Sequence, residues 1–506
     1  MLNTAAEKMK EPHNTLIISD VHLGGDLGPH TSHQNSAHLA IVERQLIEFL
    51  RHHTYTRLDG KPWRLIANGD MVDFLGICLL PNGEHEATPD EIIYGLGRRP
   101  RVARQKMEAV VERHASVFRA LARFIGAGNA LDIIAGNHDV EFHWKAVQSA
   151  FKEGVRRAWE DLQLSRGRAS TDSQRIADGI SFHPWFFYEP GVVWVEHGHL
   201  YDENCSFQFA LAPACQDSKE VDVNVDAAAS RYVINRIPEA DHGQENWSGM
   251  GYLRWAWGLG ARGAFQLAKS YYAFSARLLA ARRQRANMPG AGEVRRERHR
   301  ERLRKLCEKW SLEESTLDAI DELRKRPVVN NLWRLLQVLM IDKIVLGAGA
   351  LLVLMVLFWS MPLSWGMLAA GGVLGTAWAA NKYLSRGRNV DPTGPLLIVP
   401  DRILRHVDAR YVVFGHTHDP LAIQLDNGGT YFNTGTWFPD ELPGLLRSFT
   451  HVVIRHGKDG PHAELCQWRD GASRVFTPGY TVRFPMPAIV DAVADDVAAP
   501  KAEAAA

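Results

Sequence analysis

At 506 residues the chain should hold more than one structural unit, because single cores seldom grow past roughly 250 to 300 residues. Lys plus Arg and Asp plus Glu both number 58, so no whole-chain field points to nucleic acid or to an acidic substrate, and any electrostatic signal is local. Five scattered cysteines without a C-x-x-C pair fit neither a disulfide framework nor a zinc ribbon, which favours a reducing compartment.

Residues 1–14 read as a tail lacking the apolar core of a secretory signal, so the domain starting at Thr15 is expected to stay in the cytoplasm. Residues 15–210 then alternate two kinds of segment. "TLIISD" (Thr15–Asp20), "WRLIANGD" (Trp63–Asp70), "ALDIIAGNHD" (Ala130–Asp139) and "VVWVEHGH" (Val192–His199) are short apolar, often β-branched runs that end in Asp, Asn or His. Between the first three lie stretches with apolar residues at helical spacing, such as "SAHLAIVERQLIEFLRHH" and "RQKMEAVVERHASVFRALARFI". This alternation predicts a layered α/β domain with its polar strand ends gathered on one edge.

Residues 211–394 have a different texture. "YLRWAWGLGARGAFQLAKSYYAFSARLLAARRQR" (Tyr252–Arg285) mixes aromatic rings with arginine, as an interfacial helix does; a helix covering the core with an arginine-rich outer face reads equally well. The run Arg282–Lys305 has ten Lys and Arg against three Glu, net +7. Such runs are usually solvated faces or flexible arms, and near a membrane this one would also be drawn to anionic lipid. From Ile344 to Ala380 there is no charged residue, and that length exceeds one span of about 20 residues. Ser360–Pro362 is a natural break, so the stretch reads as a hairpin of two membrane helices near the short end of the spanning range. The alternative is a buried helix pair in a soluble core. Arg334 and Lys343 before it and Lys382, Arg386 and Arg388 after it place both ends, and the domain they join, on the cytoplasmic side. Residues 395–484 return to the first pattern with "YVVFGHTH" (Tyr411–His418), and the Ala-rich residues 485–506 read as a disordered tail.

The strand-end residues form a chemical set. Asp20 and His22 come from "SDVHLGG", Asp70 from "NGDMVDF", Asn137 and His138 from "GNHD", His197 and His199 from "EHGH", and His416 and His418 from "GHTH". Carboxylate and amide oxygens mixed with imidazoles suit two borderline divalent ions, with Mn foremost and Fe, Zn or Co also fitting. At D-x-H and H-x-H spacing on a turn leaving a strand, alternate side chains can point to one side and deliver two ligands together. Asp or His at any one strand end is more often a turn former; it is the set that argues for function.

In order, these blocks resemble the calcineurin-like metallophosphoesterases, whose pattern runs D-x-H, G-D, G-N-H-D, a later His and G-H-x-H. The likeness covers residues 14–205 and 395–470. It implies an α/β fold of two facing β-sheets flanked by helices, with a metal pair at the sheet edges; it says nothing about the region between, which reads from its residues as a large helical insert with the hairpin. By carry-over, Asp20, His22, Asp70 and His418 hold the first ion, and Asp70, Asn137, His197 and His416 the second, with Asp70 bridging. His197 matches the later-His block better than His199. His138 corresponds to the family's outer histidine, which donates to phosphate and can protonate the leaving oxygen, and Asp139 to its orienting carboxylate; the nucleophile would be a metal-bridging hydroxide. Asp73, His143 and "HTSH" (His30–His33) read as outer, surface or loop residues. Asp202 and Glu203 are candidates to orient a ligand histidine, or an exposed pair, and the role of Asn433 stays open.

The insert also lies where the UDP-2,3-diacylglucosamine hydrolases place theirs, although those read G-N-R-D where this chain has "GNHD". The expected function is therefore a membrane-attached phosphoesterase or pyrophosphatase meeting membrane lipid, with a lipid-linked substrate favoured over a soluble one. The rivals are a nucleic-acid or nucleotide phosphodiesterase and a scaffold without catalysis.

Overall fold

The computed structural model describes residues 13–29, 31–83, 86–168, 173–214, 220–236, 258, 260–287, 289–385, 393–439 and 447–478. Residues 1–12, His30, most of "YLRWAWGLG", Arg386, Arg388 and the tail 485–506 lie outside them.

The strands are β1 (Asn14–Ile18), β2 (Trp63–Asn68), β3 (Ala130–Ile134), β4 (Ile180–His183), β5 (Phe186–Glu189), β6 (Val193–Glu196), β7 (Tyr411–Phe414), β8 (Leu421–Gln424), β9 (Thr430–Asn433), β10 (Thr450–Gly457), β11 (Gly460–Arg469) and β12 (Ala472–Val475). Among the described residues fourteen α-helices accompany them. In the first half these are α1 (His33–Tyr55), α2 (Pro89–Tyr94), α3 (Pro100–Arg113), α4 (Ala115–Gly126), α5 (Lys145–Leu164) and α6 (Ser173–Asp178). The rest are α7 (Val225–Tyr232), α8 (Gly260–Asn287), α9 (Pro289–Trp310), α10 (Glu314–Glu322), α11 (Leu332–Val338), α12 (Ile341–Ser360), α13 (Leu363–Leu384) and α14 (Thr393–Leu404).

The molecule is mixed α/β with two mixed sheets. One runs β12-β11-β10-β1-β2-β3-β4, with β1 to β4 parallel; the other runs β5-β6-β7-β9-β8, with β6, β7 and β9 parallel. Strand alternation explains how they pack, since successive side chains leave opposite faces. Leu16, Ile18, Leu65, Ala67, Leu131 and Ile133 face α1, α3, α4 and α5 on one side, while Ile17, Ile66 and Ile134 share a cluster with Val193, Val195, Val413 and Phe414 of the second sheet. All five strands expected to carry site residues are present. The long "RQKMEAVVERHASVFRALARFI" stretch is two helices, α3 and α4, joined at His114, whose buried ring accepts the Gly24 N–H at Nε2 (3.0 Å).

The stretch expected as a helical insert divides between two packing units. Leu303, Leu306 and Trp310 of α9 and Leu317 and Ile320 of α10 join the apolar cluster between and behind the sheets. Val225, Ala228 and Tyr232 of α7, Phe274 and Leu278 of α8, and Leu335 form a separate core. Nor is the basic run simply a solvated face: buried Arg295 pairs with Asp222 (3.0 Å), and Arg302 donates to the Leu211 carbonyl.

α12 and α13 are long and apolar enough to cross a membrane, with mean hydropathy 2.3 and 1.2. They are not a buried core pair. Their apolar windows are 0% and 6% buried, and Trp359 is 94% exposed. The chain turns at Met361 and Pro362, as expected, but each helix outruns the uncharged stretch, because α12 begins before Asp342 and Lys343 and α13 continues through Lys382. The two ends of the hairpin meet, since the Gln337 amide donates to the Leu384 carbonyl at 3.0 Å.

Candidate metal centre

Every predicted ligand sits on the turn just after a strand. β1, β2 and β3 of one sheet carry Asp20 and His22, Asp70, and Asn137; β6 and β7 of the other carry His197, and His416 and His418. The turns are stitched together through backbone: Val21 and His22 donate to the Asp70 carbonyl (3.0 and 2.9 Å), and Gly415 donates to that of His197 (3.0 Å). Asp20, His22, Asp70, His416 and His418 all have φ between 53° and 69°. A left-handed conformation at a residue with a side chain costs about 1 to 3 kcal/mol and persists where the surroundings impose it, often at functional sites.

The side chains converge. Asp20, His22 and His418 form one group whose potential ligand atoms all lie within 4.8 Å of one another, and Asp20, Asp70 and His197 form a second. His197 Nε2 is 3.0 Å from Asp70 Oδ2 and 3.1 Å from Asn137 Oδ1, while its Nδ1 meets the Asn68 carbonyl at 2.9 Å. A ring so held offers one nitrogen to the cluster. His418 Nε2 lies 3.1 Å from Asp20 Oδ1. His416 stands beside His197, ring centroids 5.4 Å apart, with its Nε2 3.2 Å from Asp202. The residue common to both groups is Asp20, whereas the family likeness implied Asp70 as the bridge. His199 joins neither group and its Nδ1 is buried without a hydrogen-bond partner among the described residues, so the geometry favours His197.

Burial alone would raise the Asp20 and Asp70 carboxyls, yet the neighbouring imidazoles, His418 at Asp20 and His197 at Asp70, hold both below the usual range. Burial opposes charge on His197 as well, but Asp70 and Asp20 push it up to about 9. Carboxylates and imidazoles this close, most of them buried, need a compensating arrangement. The groups Asp20, His22 and His418, and Asp20, Asp70 and His197, could hold a metal ion.

His138 and Asp139 are both buried here, but their partners differ from expectation. His138 donates its backbone N–H to Asp70 Oδ1 (2.8 Å), and its ring Nδ1 lies 2.7 Å from Asp73 Oδ1. Asp139 instead accepts from the backbone N–H of Gly136 (2.6 Å) and Met71 (2.9 Å), which locks two site turns together. The carboxylate on His138 is thus Asp73, the one three residues past Asp70 in "GDMVDF". Burial works against protonation of His138, but Asp73, Asp70 and Asp226 hold its proton well above the usual range.

Other supports were partly legible. Asp202 meets His416, one of the predicted ligand histidines, while Glu203 pairs with Arg334. Asn433, whose role was open, braces the "GHTH" turn: its amide donates to the Gly415 carbonyl (2.7 Å) and Thr417 Oγ1 (3.0 Å). His143 ends a short 3-10 turn past Asp139, and His33 is exposed at the start of α1. Asp226 of α7 was missed, having no strand-end signal; it accepts from the Asn137 amide at 3.0 Å, which turns the Asn137 oxygen toward His197.

Close approach fixes the glycines. A Cβ at Gly69 would lie 2.3 Å from His197 Nδ1, and one at Gly136 2.1 Å from Asp70 Oδ1 and 2.8 Å from the Asp70 backbone nitrogen. Gly136→Ala is therefore expected to displace Asp70, at a cost of about 1 to 3 kcal/mol. It should lower both the melting temperature and the bound metal measured by elemental analysis; unchanged values of both would show that the turns are looser than described.

No protein-family model matches this chain, and neither a curated protein nor a solved structure matches it.

Proposed function

We propose that this chain is a membrane-attached, two-metal phosphohydrolase that cleaves a phosphate ester or pyrophosphate bond, with its site on the cytoplasmic side and a lipid-linked substrate favoured. One observation carries the reading: Asp and His donors at the ends of β1, β2, β6 and β7 form two groups that share Asp20, with Asn137 after β3 on His197 and a carboxylate-held histidine beside them. Two bound divalent ions would supply Lewis acidity toward a phosphoryl oxygen and an activated water. The chain's own residues do the rest. His138 has Nδ1 on Asp73 and Nε2 3.8 Å from Asp226, and would donate from Nε2 to a phosphoryl or leaving oxygen; Asn137 is turned by Asp226, and His416 is held by Asp202.

Attachment is argued from α12 and α13, whose apolar surfaces stay largely unburied even where the two helices pack on each other, and from the basic residues Arg334, Lys343 and Lys382 at their joined ends. Lys382 lies over the Trp378 ring (5.3 Å), an arrangement suited to an interface.

The direct test is a hydrolysis screen of the detergent-purified chain with added manganese, against phosphomonoesters, phosphodiesters, nucleotide-linked lipids and phospholipids. Hydrolysis of none of these would sink the proposal, and hydrolysis of nucleic acid alone would favour the phosphodiesterase. His138→Ala is expected to keep its metal but lose about 10²-fold in turnover on esters with poor leaving groups. The loss should shrink with p-nitrophenolate, which needs no proton. A variant with an unchanged rate on poor leaving groups, or one depleted of metal, would contradict this role.

A further inference from the structure

Behind the turn that carries Asp202 lies a cleft of about 760 Å³ that no step of the proposed hydrolysis uses. Its wall is formed by the last turns of α8 with Arg282 and Arg285, by Arg296 of α9, and by Arg324, Lys325 and Arg326 just past α10. Six cationic side chains line it against two carboxylates, Asp321 and Glu322. Asp321 is already held, by Arg324 at 2.6 Å and His299 at 3.2 Å.

The cations fall into two sets. Arg282 donates to the Val329 and Asn330 carbonyls (3.2 and 2.7 Å), and Arg285 to Asn330 Oδ1 (2.6 Å) while pairing with Asp222 (2.9 Å). Those bonds fix two guanidinium groups at the rim instead of leaving them to wander in water. Arg296, Lys325 and Arg326 form no ion pair or side-chain hydrogen bond among the described residues. Like charges gathered in a concavity repel, and a multiply charged anion relieves that repulsion. Phosphate suits the guanidinium fork, and pre-positioned arginines lose little freedom on binding it.

We propose that this cleft is a binding site for a phosphate-bearing polyanion, separate from the strand-end metal cluster. The chemistry is shared by two sources. One is a phospholipid headgroup, because Asn330 precedes α11, whose seven residues span about 10 Å before α12 begins. The other is a free polyphosphate or nucleotide.

The test uses the full chain in phosphatidylcholine nanodiscs, with free divalent ions chelated, and tripolyphosphate as the calorimetric probe. Binding is expected, and it should weaken by roughly tenfold or more in the triple variant Arg296→Glu, Lys325→Glu, Arg326→Glu. A control with the same charge change on exposed residues elsewhere, Arg51→Glu, Arg119→Glu and Arg166→Glu, should bind within about twofold of the parent. Repeating the titration in nanodiscs containing phosphatidylglycerol identifies the source. A weaker apparent affinity there means that the headgroup competes for the cleft; an unchanged one assigns the cleft to soluble phosphate. No tripolyphosphate binding in either nanodisc, or equal loss in the two triple variants, would overturn the site.

Discussion

Asp70→Ala is expected to strip bound metal from the purified chain and to reduce hydrolysis by about 10³-fold or more, to the background of the assay. The Asp70 carboxylate is buried, with Oδ1 on the His138 N–H and Oδ2 on His197 Nε2. Removing it leaves the imidazoles of His22, His138 and His197 facing each other, and any ions in the cluster, without their central negative charge. It also strands a buried N–H, which costs about 1 to 3 kcal/mol of stability. Asp70→Asn separates these effects, since the amide can still accept from His138 while the charge is gone. Metal should fall in both variants, but the melting temperature should fall further in the alanine. Because Asp20 is the member shared by the two donor groups, Asp20→Ala is the informative comparison: the variant that empties both positions marks the bridge. Two ions per chain in Asp70→Ala by elemental analysis would refute the role assigned here.

What could be read in advance followed from local chemistry. Each of the five strands that carry site residues announced itself by apolar, often β-branched residues running into Asp, Asn or His, and the turns had to be tight because glycine stands at 69 and 136, where a Cβ would strike His197 or Asp70. Partners set by tertiary packing were harder. Asp73 and Asp139 follow Asp70 and His138 at similar short spacings, and only the fold decides which carboxylate meets the His138 ring and which ties backbone to backbone. Asp226 lies nearly 90 residues from Asn137 on a helix with no motif, so nothing local marks it. The basic run misled for the same reason. Counted as charge it looks like a solvated arm, whereas Arg295 and Arg302 are spent on Asp222 and a carbonyl of the first half.

Deleting α13 alone is expected to abolish metal binding and hydrolysis, whereas replacing the whole hairpin, residues 341–384, with a short Gly/Ser linker should preserve both on a small soluble ester. The reason is the strand order. β7, which carries His416 and His418, lies after the hairpin in sequence but pairs in parallel with β6, which carries His197 before it. If α12 and α13 span a bilayer, two crossings return the chain to its starting side. A single crossing would leave β7 across the membrane from β6, and neither the second sheet nor the donor group that needs His418 could form. The full replacement carries no such penalty. The hairpin's ends already meet at Gln337 and Leu384, no ligand lies between them, and a flexible loop closes a short gap at modest entropic cost. Activity on a lipid-linked substrate should fall much further in the replacement than activity on the soluble ester. Cysteines introduced at exposed Leu332 and at Ser385 should both react with an impermeant reagent from the cytoplasmic side only, and one at Ser360 only from the opposite side, if it reacts at all. Labelling of 332 and 385 from opposite sides would refute the hairpin. Equal loss on soluble and lipid substrates would refute its part in substrate access, and full activity after loss of α13 alone would show that the two helices do not cross the bilayer.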